Sequence, residues 1–494
     1  MKRLLVACTV LISTSLDAQN DTCKITVDWK AVVSESKTTA TLQLVENPMV
    51  RPGSPIHTNT FKALKELGAD YVRYVPWFPY PKMAVAELQP PAANKTFWDF
   101  TWLDSTMEAV MAATKGHSTV INFSTTPAWL WKTAKPVQYP ADPYGLCWDY
   151  NQGTQLRDAT MKELTGYYVR LFSWYTKGGF TDELGVFHKS GHFYNIPYWE
   201  VLNEPDLEHH IPVELYTKMY DAIVAELKKL SPKTKFVGLS LAYVRDPAYF
   251  EYFLDPKNHK PGIPLECISY HHYSRPAWPQ QTIDEYQYTF FDHAESFLDK
   301  VRYIESIRKR LAPQVVTMIN EIGVILRSPS ESGPIHEHYW NLAGAMYAYI
   351  FLELTKLGID VAGESQLVGY PTQFPDVSMM NWENGNPNAR YWVLRLLKEN
   401  FGPGDQLLKT TSKGKGGHIA AQGIITKQGK KILLINKHHT PVPVVLPAEA
   451  GNAVVNQSDI LTGEHPAAKT ILTGNTIVLQ PFAVAVVESI GNRQ

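Results

Sequence analysis

The sequence predicts a (β/α)8 TIM barrel followed by an antiparallel β-sandwich. Between residues 39 and 402, short apolar runs alternate with longer amphipathic stretches, which is the pattern of parallel βα units. The apolar runs number eight, as many strands as close such a barrel. From residue 403 onwards the runs are short and strand-like, as in a β-sandwich. An open doubly wound sheet is the alternative, but no glycine-rich phosphate loop follows an early strand.

The barrel strands are predicted from the apolar runs themselves. They are TATLQLV (39–45), DYVRYV (70–75), STVINF (118–123), PYWEVLN (197–203), KFVGLSL (235–241), ECISYHHY (266–273), QVVTMIN (314–320) and IDVAGES (359–365). Helices are predicted between them, where apolar residues recur at three- and four-residue spacing. The clearest are FKALKELGA (61–69), which stops at Gly68, MKELTGYYVRLFSWY (161–175), PVELYTKMYDAIVAELKKL (212–230) and HAESFLDKVRYIESIRKRL (293–311).

The sandwich is predicted from runs at both ends of the chain. The C-terminal runs are ILLINKHH (432–439), PVPVVLP (441–447), NTIVLQ (475–480) and FAVAVVES (482–489), with a hairpin signal near 428–431. CKITVDW (23–29) precedes the barrel, and we expect it to pack into the same sandwich. The predicted boundaries are 19–38 for this N-terminal segment, 39–402 for the barrel and 403–494 for the sandwich.

Residues 1–18 have the pattern of a secretory signal peptide. Two basic residues precede an apolar stretch at 4–16, and cleavage is predicted after Ala18. The residues before Cys8 resemble a lipobox, but the apolar stretch continues past Cys8, which argues against a lipoprotein. No later segment has enough consecutive apolar residues to span a bilayer. The sequence therefore predicts a secreted or periplasmic protein without a membrane span.

Charge and cysteine content exclude several classes of function. The formal net charge is -1, so neither nucleic acid nor an anionic membrane is an expected partner. The chain has four cysteines and no CxxC pair, which argues against a thiolate zinc site. Cys23, Cys147 and Cys267 remain after the leader, and a disulfide among them is left open. No cofactor is expected, and the oligomeric state is left open.

Two predicted strands end in the same pair of polar residues. YWEVLNEPD (198–206) ends the fourth strand with Asn203 and Glu204, and TMINEIGV (317–324) carries Asn320 and Glu321 at the end of the seventh. In a parallel barrel these ends meet on one rim. A protonated and an ionised carboxyl group on the rim of a neutral, aromatic-rich chain indicate glycoside hydrolysis. Because strand residues alternate between faces, Asn203 and Glu204 can face one ligand only if the strand twists or bulges there.

Metal chemistry is the alternative use of such carboxylates. A hard cation would need more converging carboxylates or histidines at suitable spacing. HEHYW (336–340) begins like a zinc protease motif but has Trp340 where the second histidine would stand. We therefore expect no metal.

The motif strands resemble those of a known group of enzymes. YWEVLNEP, FVGLS and TMINEIG resemble strands 4, 5 and 7 of the clan A glycoside hydrolases, which are retaining TIM-barrel glycosidases. Within the clan, the whole layout most resembles glycoside hydrolase family 39, which holds β-xylosidases and α-L-iduronidases. The resemblance implies that Glu204 is the general acid/base and Glu321 the nucleophile, and that the substrate is an oligo- or polysaccharide.

The resemblance also implies roles for residues near the pair. Asn203 would bind the sugar 2-hydroxyl, and Arg73 matches the second-strand arginine that keeps the nucleophile ionised, although a purely structural barrel salt bridge is the alternative for Arg73. His271 and Tyr273 share strand parity, so both can face the barrel mouth. We expect Tyr273 to donate to Glu321, whereas His272, of opposite parity, should face the helices.

Several other residues receive narrower predictions. Trp382, after the eighth strand, matches the place of an aromatic sugar platform in the clan, and Trp129 is a second candidate. Further tryptophans near the rim are Trp77, Trp131 and Trp278. Glu200 lies four residues deeper than Glu204, and we expect it to pair with a basic side chain in the barrel interior. A leaving-group subsite is predicted for the residues just beyond the first motif, namely Glu208, His209 and His210.

The functional prediction is thus a retaining glycosidase, for which the resemblance implies a β-xylosidase-like specificity. An endo-acting glycanase of the same clan and a carbohydrate-binding pseudoenzyme are the alternatives. Both carboxylates are present, which favours an enzyme. Double displacement predicts that the two carboxyl groups lie about 5–5.5 Å apart. The sugar, its linkage and its anomeric configuration are left open.

Overall fold

The computed structural model describes residues 22–147, 153–244, 246–278, 281–326, 334–369, 375–414 and 417–488. The predicted leader at 1–18 lies outside these residues, as does part of the loop after the eighth barrel strand, so cleavage and export stay predictions. Among the described helices, none has the length and apolar character that a bilayer span requires.

The elements follow the predicted alternation. In the described ranges the strands are β1 (Cys23–Glu35), β2 (Thr39–Val45), β3 (Val72–Val75), β4 (Thr119–Ile121), β5 (Gly179–Thr181), β6 (Phe187–Lys189), β7 (Tyr198–Glu200), β8 (Lys235–Leu241), β9 (Cys267–Ser274), β10 (Val316–Val324), β11 (Val361–Glu364), β12 (Gln406–Lys413), β13 (Ile419–Thr426), β14 (Gly429–Asn436), β15 (Val442–Val445), β16 (Val454–Ser458), β17 (Ala468–Ile471), β18 (Thr476–Leu479) and β19 (Val484–Glu488). The α-helices in these ranges are α1 (His57–Leu67), α2 (Pro81–Ala84), α3 (Thr101–Ala113), α4 (Lys162–Thr176), α5 (Val213–Leu230), α6 (Pro247–Leu254), α7 (Ile283–Leu311), α8 (Tyr339–Leu357) and α9 (Ala389–Asn400).

Eight parallel strands close a barrel, as the sequence predicts. Their order around it is β2-β3-β4-β7-β8-β9-β10-β11, returning to β2. Each comes from one of the eight apolar runs. Most of their residues are buried because the strands face a filled interior on one side and the helices on the other. The C-terminal strand ends, and with them both Asn-Glu pairs, therefore share one rim.

The fourth barrel strand is shorter than its apolar run. β7 ends at Glu200, because Leu202 and Glu204 both adopt the left-handed backbone conformation, at φ of 63° and 42°. The seventh strand β10, by contrast, continues through Glu321 to Val324. The irregular end expected near Glu204 is thus present, and it lets neighbouring residues turn towards one side.

Two helix ends illustrate how the local sequence sets the boundaries. α1 ends at Gly68, which adopts φ of 55° as predicted for a helix stop. α7 begins ten residues before its predicted start, at Ile283, because Thr282 and Glu285 form a capping box there. The longer helix brings its N-terminal half alongside the barrel rim.

A nine-stranded sheet lies beside the barrel. Its order is β17-β16-β19-β14-β13-β12-β1-β15-β18, and its pairs are antiparallel except for β1 with β15. The predicted hairpin joins β13 to β14, where Thr426 pairs with Gly429. β1 sits between β12 and β15, as expected for the N-terminal strand. The sheet has its own hydrophobic cluster, which Cys23 joins as a buried free thiol; Cys267, in the barrel, is also free and buried. The boundaries at 38 and 402 remain predictions.

Candidate active site

A cavity of about 570 Å³ opens at the C-terminal ends of the barrel strands. Residues from the ends of β2, β9 and β10, and from the loops after β7 and β11, line it. Among them are Gln43, Asn203, Glu204, His271, Tyr273, Glu321 and Gln366. The structure therefore brings most of the predicted site residues to one place.

Glu204 and Glu321 face each other across this cavity. Side-chain ligand atoms of Glu204, His271 and Glu321 all lie within 4.8 Å of one another. His271 Nδ1 is 2.8 Å from Glu204 Oε1 and 3.5 Å from Glu321 Oε2. Three such groups could hold a cation, but the guanidinium of Arg73 already contacts Glu321 at 2.5 Å. A cation bound there would meet this permanent positive charge.

Arg73 connects the pair to the barrel interior. The side chain is fully buried and donates from Nε to Glu200 and from Nη1 to Glu321, both at 2.5 Å. Its Nη2 donates to Asn203 Oδ1 at 2.7 Å. The two interpretations of Arg73 from the sequence are therefore not exclusive, since it forms a structural barrel ion pair and also contacts the predicted nucleophile.

Glu321 is held by donors from three strands. Besides Arg73, Gln43 Nε2 donates to Oε1 at 3.0 Å, and the Tyr273 hydroxyl donates to Oε2 at 2.6 Å. The predicted contact of Tyr273 with Glu321 is thus present. Gln43 was missed from the sequence, although a polar residue inside the apolar run of β2 was the signal. Hydrogen bonds from three directions hold the Glu321 side chain in one orientation.

Glu200 lies below the pair, as expected. It accepts hydrogen bonds from Arg73, Ser269, Asn122 and Asn320, at 2.5 to 2.8 Å. Burial alone would raise its pKa, but the charge of Arg73 and these hydrogen bonds outweigh burial and hold the pKa of Glu200 below its usual value. The pairing of Glu200 with a basic side chain is confirmed.

The environment of Glu204 shifts its pKa upwards, in the opposite direction from that of Glu200. Burial raises its pKa, the hydrogen bond from His271 opposes this, and the negative charge of Glu321 adds to the rise. For His271, burial is the largest influence and lowers the pKa, but the two glutamates outweigh it and raise the pKa. Glu204 therefore has the raised pKa that a proton donor requires, whereas the facing Glu321 contacts the permanent cation Arg73.

Glu208 forms a third carboxyl group next to the pair. Its Oε1 accepts from Trp77 Nε1 and from Asn203 Nδ2, both at 2.9 Å. Oε2 is buried and has no hydrogen-bond partner in the part of the chain that the structure describes. Burial first, and then the charge of Glu204, raise the pKa of Glu208 well above its usual value. Glu208 therefore lies behind Asn203 as a neutral acid, outside the lining residues of the cavity.

The two histidines after Glu208 bind backbone carbonyl groups. His209 Nδ1 lies 3.0 Å from the oxygen of Gly153, and His210 Nδ1 lies 3.2 Å from that of Asp206. Neither histidine is among the lining residues. The leaving-group subsite predicted for this segment has no direct contact with the cavity.

The tryptophans divide between the cavity and its surroundings. Trp77 lines the cavity. Trp129 and Trp382 do not: Trp129 Nε1 donates to the carbonyl oxygen of Glu87 at 2.9 Å, and Trp382 packs against the barrel core. Trp131 stacks on His209 with ring centroids 4.0 Å apart. Neither Trp129 nor Trp382 is among the lining residues of this cavity, so the sugar contacts predicted for them stay predictions.

His272 faces the helices, as its parity predicts. Its ring stacks on Phe297 of α7, with centroids 4.4 Å apart, and its Nε2 is 3.0 Å from Ser274 Oγ. Burial, aided by nearby positive charges, lowers the pKa of His272 to about 3. The imidazole of His272 is therefore neutral and stacks on an aromatic ring.

Comparison with known proteins identifies relatives only at the level of structure. No family model and no curated protein matches the chain in sequence. A GH51 arabinofuranosidase from Xanthomonas axonopodis pv. citri is similar in structure, with a TM-score of 0.64 at 13% identity, over 94% of this chain and 99% of that chain. A conserved exported protein from Bacteroides fragilis gives 0.64 at 12%, over 94% and 99%.

A more distant match is a GH30 endoxylanase from Clostridium papyrosolvens C71. Its TM-score is 0.53 at 11% identity, over 94% of this chain and 99% of that chain. At such identities the likeness concerns the fold, and the shares covered show that it extends over both the barrel and the sandwich. The chain therefore has the fold of these proteins, a TIM barrel with a C-terminal β-sandwich.

Proposed function

We propose that this protein is a retaining glycoside hydrolase that acts on an oligo- or polysaccharide. One observation carries the proposal: two carboxyl groups face each other in the cavity, one beside the permanent cation Arg73 and the other with a pKa that burial raises. The ligand atoms of Glu204 and Glu321 lie within 4.8 Å of each other. This favours double displacement, for which the carboxyl groups lie about 5–5.5 Å apart, over inversion, which needs about 6.5–9.5 Å.

In the first step Glu321 attacks the anomeric carbon. Arg73, Tyr273 and Gln43 donate hydrogen bonds to its carboxylate and hold it in place for the attack. Glu204, whose pKa burial raises, gives its proton to the leaving oxygen. The bond to the leaving group breaks, and a glycosyl ester of Glu321 forms.

In the second step water resolves the ester. Esterification removes the negative charge of Glu321, and with it one of the causes that raise the pKa of Glu204. Glu204, deprotonated in the first step, therefore stays ionised more easily and takes a proton from the water that attacks the anomeric carbon, while the ester bond to Glu321 breaks. The same carboxyl group therefore serves as acid and then as base.

Asn203 and Trp77 are the proposed sugar contacts. The Asn203 Oδ1 atom is occupied by Arg73, whereas its Nδ2 carries a second hydrogen beyond the one given to Glu208. That hydrogen is suited to the sugar 2-hydroxyl. Trp77 offers an apolar ring face for a pyranose or furanose ring.

The proposed substrate is a pentoside. The resemblance to family 39 suggests a β-xyloside, and the arabinofuranosidase and endoxylanase names of similar structures make an α-L-arabinofuranoside the second choice. From the N-terminal pattern we also propose that the enzyme is secreted or periplasmic.

A hydrolysis screen tests the proposal. Purified protein is incubated with aryl glycosides and with plant, microbial and host polysaccharides, and products are followed by chromatography and by NMR of the first anomer released. We expect hydrolysis with retention, abolished in Glu321→Ala. Release of the inverted anomer would contradict double displacement. Binding of glycans without any hydrolysis would instead favour the pseudoenzyme.

A further inference from the structure

The cavity continues from the carboxylate pair to one face of α7. His293, Ser296, Phe297 and Lys300 line it from this helix, and their spacing of three and four residues places them on one side. Arg275, which follows β9 directly, joins them. Its backbone N–H donates to His293 Nδ1 at 3.3 Å, which ties the end of the strand to the helix.

The charges at this end of the cavity are not compensated. Among the described lining residues the acids are Glu204 and Glu321, and each already contacts a basic group of the site, His271 and Arg73 respectively. Arg275 and Lys300 are exposed, and neither forms an ion pair within the described ranges of the chain. The edge of the cavity therefore carries two cations, Arg275 and Lys300, that have no ion-pair partner among the described residues.

The basic groups also lie close enough to influence one another. The pKa of His293 is lowered by burial and then by the charges of Arg275 and Lys300, which outweigh that of Asp292. The charge of Lys300 also acts on His272. Arg275 and Lys300 thus form one positive region around an uncharged His293, and we name these three residues the basic wall. Ser296 adds a hydroxyl donor between the two α7 residues.

We propose that the basic wall binds an acidic substituent of the carbohydrate, a carboxylate or a sulfate ester, at a distance from the bond that is cleaved. A guanidinium can bind either oxyanion through two parallel hydrogen bonds, and an ammonium adds a mobile point charge. The carboxylates that would cut the sugar come from the ends of β7 and β10, whereas the wall comes from α7 and the end of β9. The proposed subsite rests on the proposed function, because it would bind part of the substrate that occupies the same cavity.

Binding measurements on matched glycans test the wall without requiring turnover. The probes are uronic acid-containing oligosaccharides with their carboxyl-reduced forms, and sulfated oligosaccharides with their desulfated forms. Affinities are measured calorimetrically for the native protein, for the Arg275→Ala/Lys300→Ala double variant and for Lys309→Ala. Lys309 is an exposed lysine of the same helix outside the cavity lining, so it controls for a general loss of charge.

We expect one acidic glycan to bind about tenfold more tightly than its neutral form, as two charge-assisted contacts allow. The preference should disappear in the double variant, persist in Lys309→Ala and weaken with salt. The acidic probe that binds more tightly then shows whether the basic wall prefers a carboxylate or a sulfate ester. Equal binding of acidic and neutral forms, or a preference that survives the double substitution, would overturn the proposal. If the protein prefers the acidic glycan but hydrolyses no glycan, the result contradicts the proposed glycosidase activity and not the basic wall.

Discussion

Asn203 Nδ2 donates a hydrogen bond to Glu208 Oε1 over 2.9 Å, while Asn203 Oδ1 accepts one from Arg73. The two contacts fix which end of the amide faces which neighbour, because only oxygen can accept from the guanidinium. Glu208 therefore determines the orientation of the residue next to the proposed acid/base, although Glu208 does not line the cavity.

Glu208→Gln should retain most activity, whereas Glu208→Ala should not. Glutamine keeps a carbonyl oxygen that accepts from Asn203 and Trp77. Alanine removes the acceptor that orients the Asn203 amide, and the loss of this hydrogen bond, about 1–3 kcal/mol, should lower kcat/KM about 10- to 100-fold. Steady-state kinetics of both variants measures this. Equal losses in the two variants would mean that the carboxyl group itself, rather than its hydrogen bonds, is needed.

Tyr273→Phe should impair the proposed nucleophile. The substitution removes the hydroxyl that donates to Glu321 Oε2 at 2.6 Å and keeps the ring. We expect kcat/KM to fall about tenfold or more, because a hydrogen bond to a carboxylate contributes about 1.5–3 kcal/mol. Tyr270→Phe is the matched control on the same strand, since the Tyr270 hydroxyl is buried without a partner in the described ranges. Similar losses in both variants would assign the effect to stability.

Removal of the Glu321 charge should lower the pKa of Glu204. Burial and that charge both raise the pKa of Glu204, and only the charge is lost in Glu321→Gln. In the native enzyme, kcat/KM should fall as pH rises through the raised pKa, because a deprotonated Glu204 cannot donate. An NMR titration of labelled glutamate carboxyl groups compares the native protein with Glu321→Gln. An unchanged titration of Glu204 would show that the two groups do not interact.

Glu46 should make the free energy of unfolding depend on pH. Burial raises its pKa from 4.5 to about 8, against hydrogen bonds from Tyr74 and Thr106. Because the folded-state pKa is the higher one, the stabilising contribution is complete below pH 4.5 and is lost as pH rises towards 8. Glu46→Gln cannot ionise and should lose less stability over this range in urea unfolding. Glu66→Gln, at an exposed position, should behave as the native protein.

The barrel could be predicted from the sequence because each strand is an apolar run and each connection has helical spacing. The repeated Asn-Glu endings also predicted that Glu204 and Glu321 share one rim. The repeat did not predict that its two asparagines have different contacts. Asn203 lies beside Glu204 and Glu321, whereas Asn320 donates to Glu200 in the barrel interior at 2.8 Å. Strand parity alone could not distinguish them, because the left-handed residues after β7 alter the alternation.

The surroundings of Glu208 could not be predicted, because they depend on contacts between distant segments. Trp77, which binds it, lies 131 residues away in the sequence. The positions of Trp129 and Trp382 depend in the same way on the course of long loops, for which apolar periodicity gives no guide. The basic wall, too, combines a residue after β9 with one face of α7, and the sequence pattern gives no sign that these two segments meet at the cavity.

The position of β1 in the nine-stranded sheet has a consequence for how the chain folds. Thr26 and Thr411 share a hydrogen bond of 2.6 Å across β1 and β12, although they lie 385 residues apart. During synthesis β1 emerges first, and its partners follow only after the entire barrel. Until then β1 presents unpaired backbone groups, which can pair wrongly with other chains. Closing so large a loop is slow, so completion of this sheet should be a late folding event.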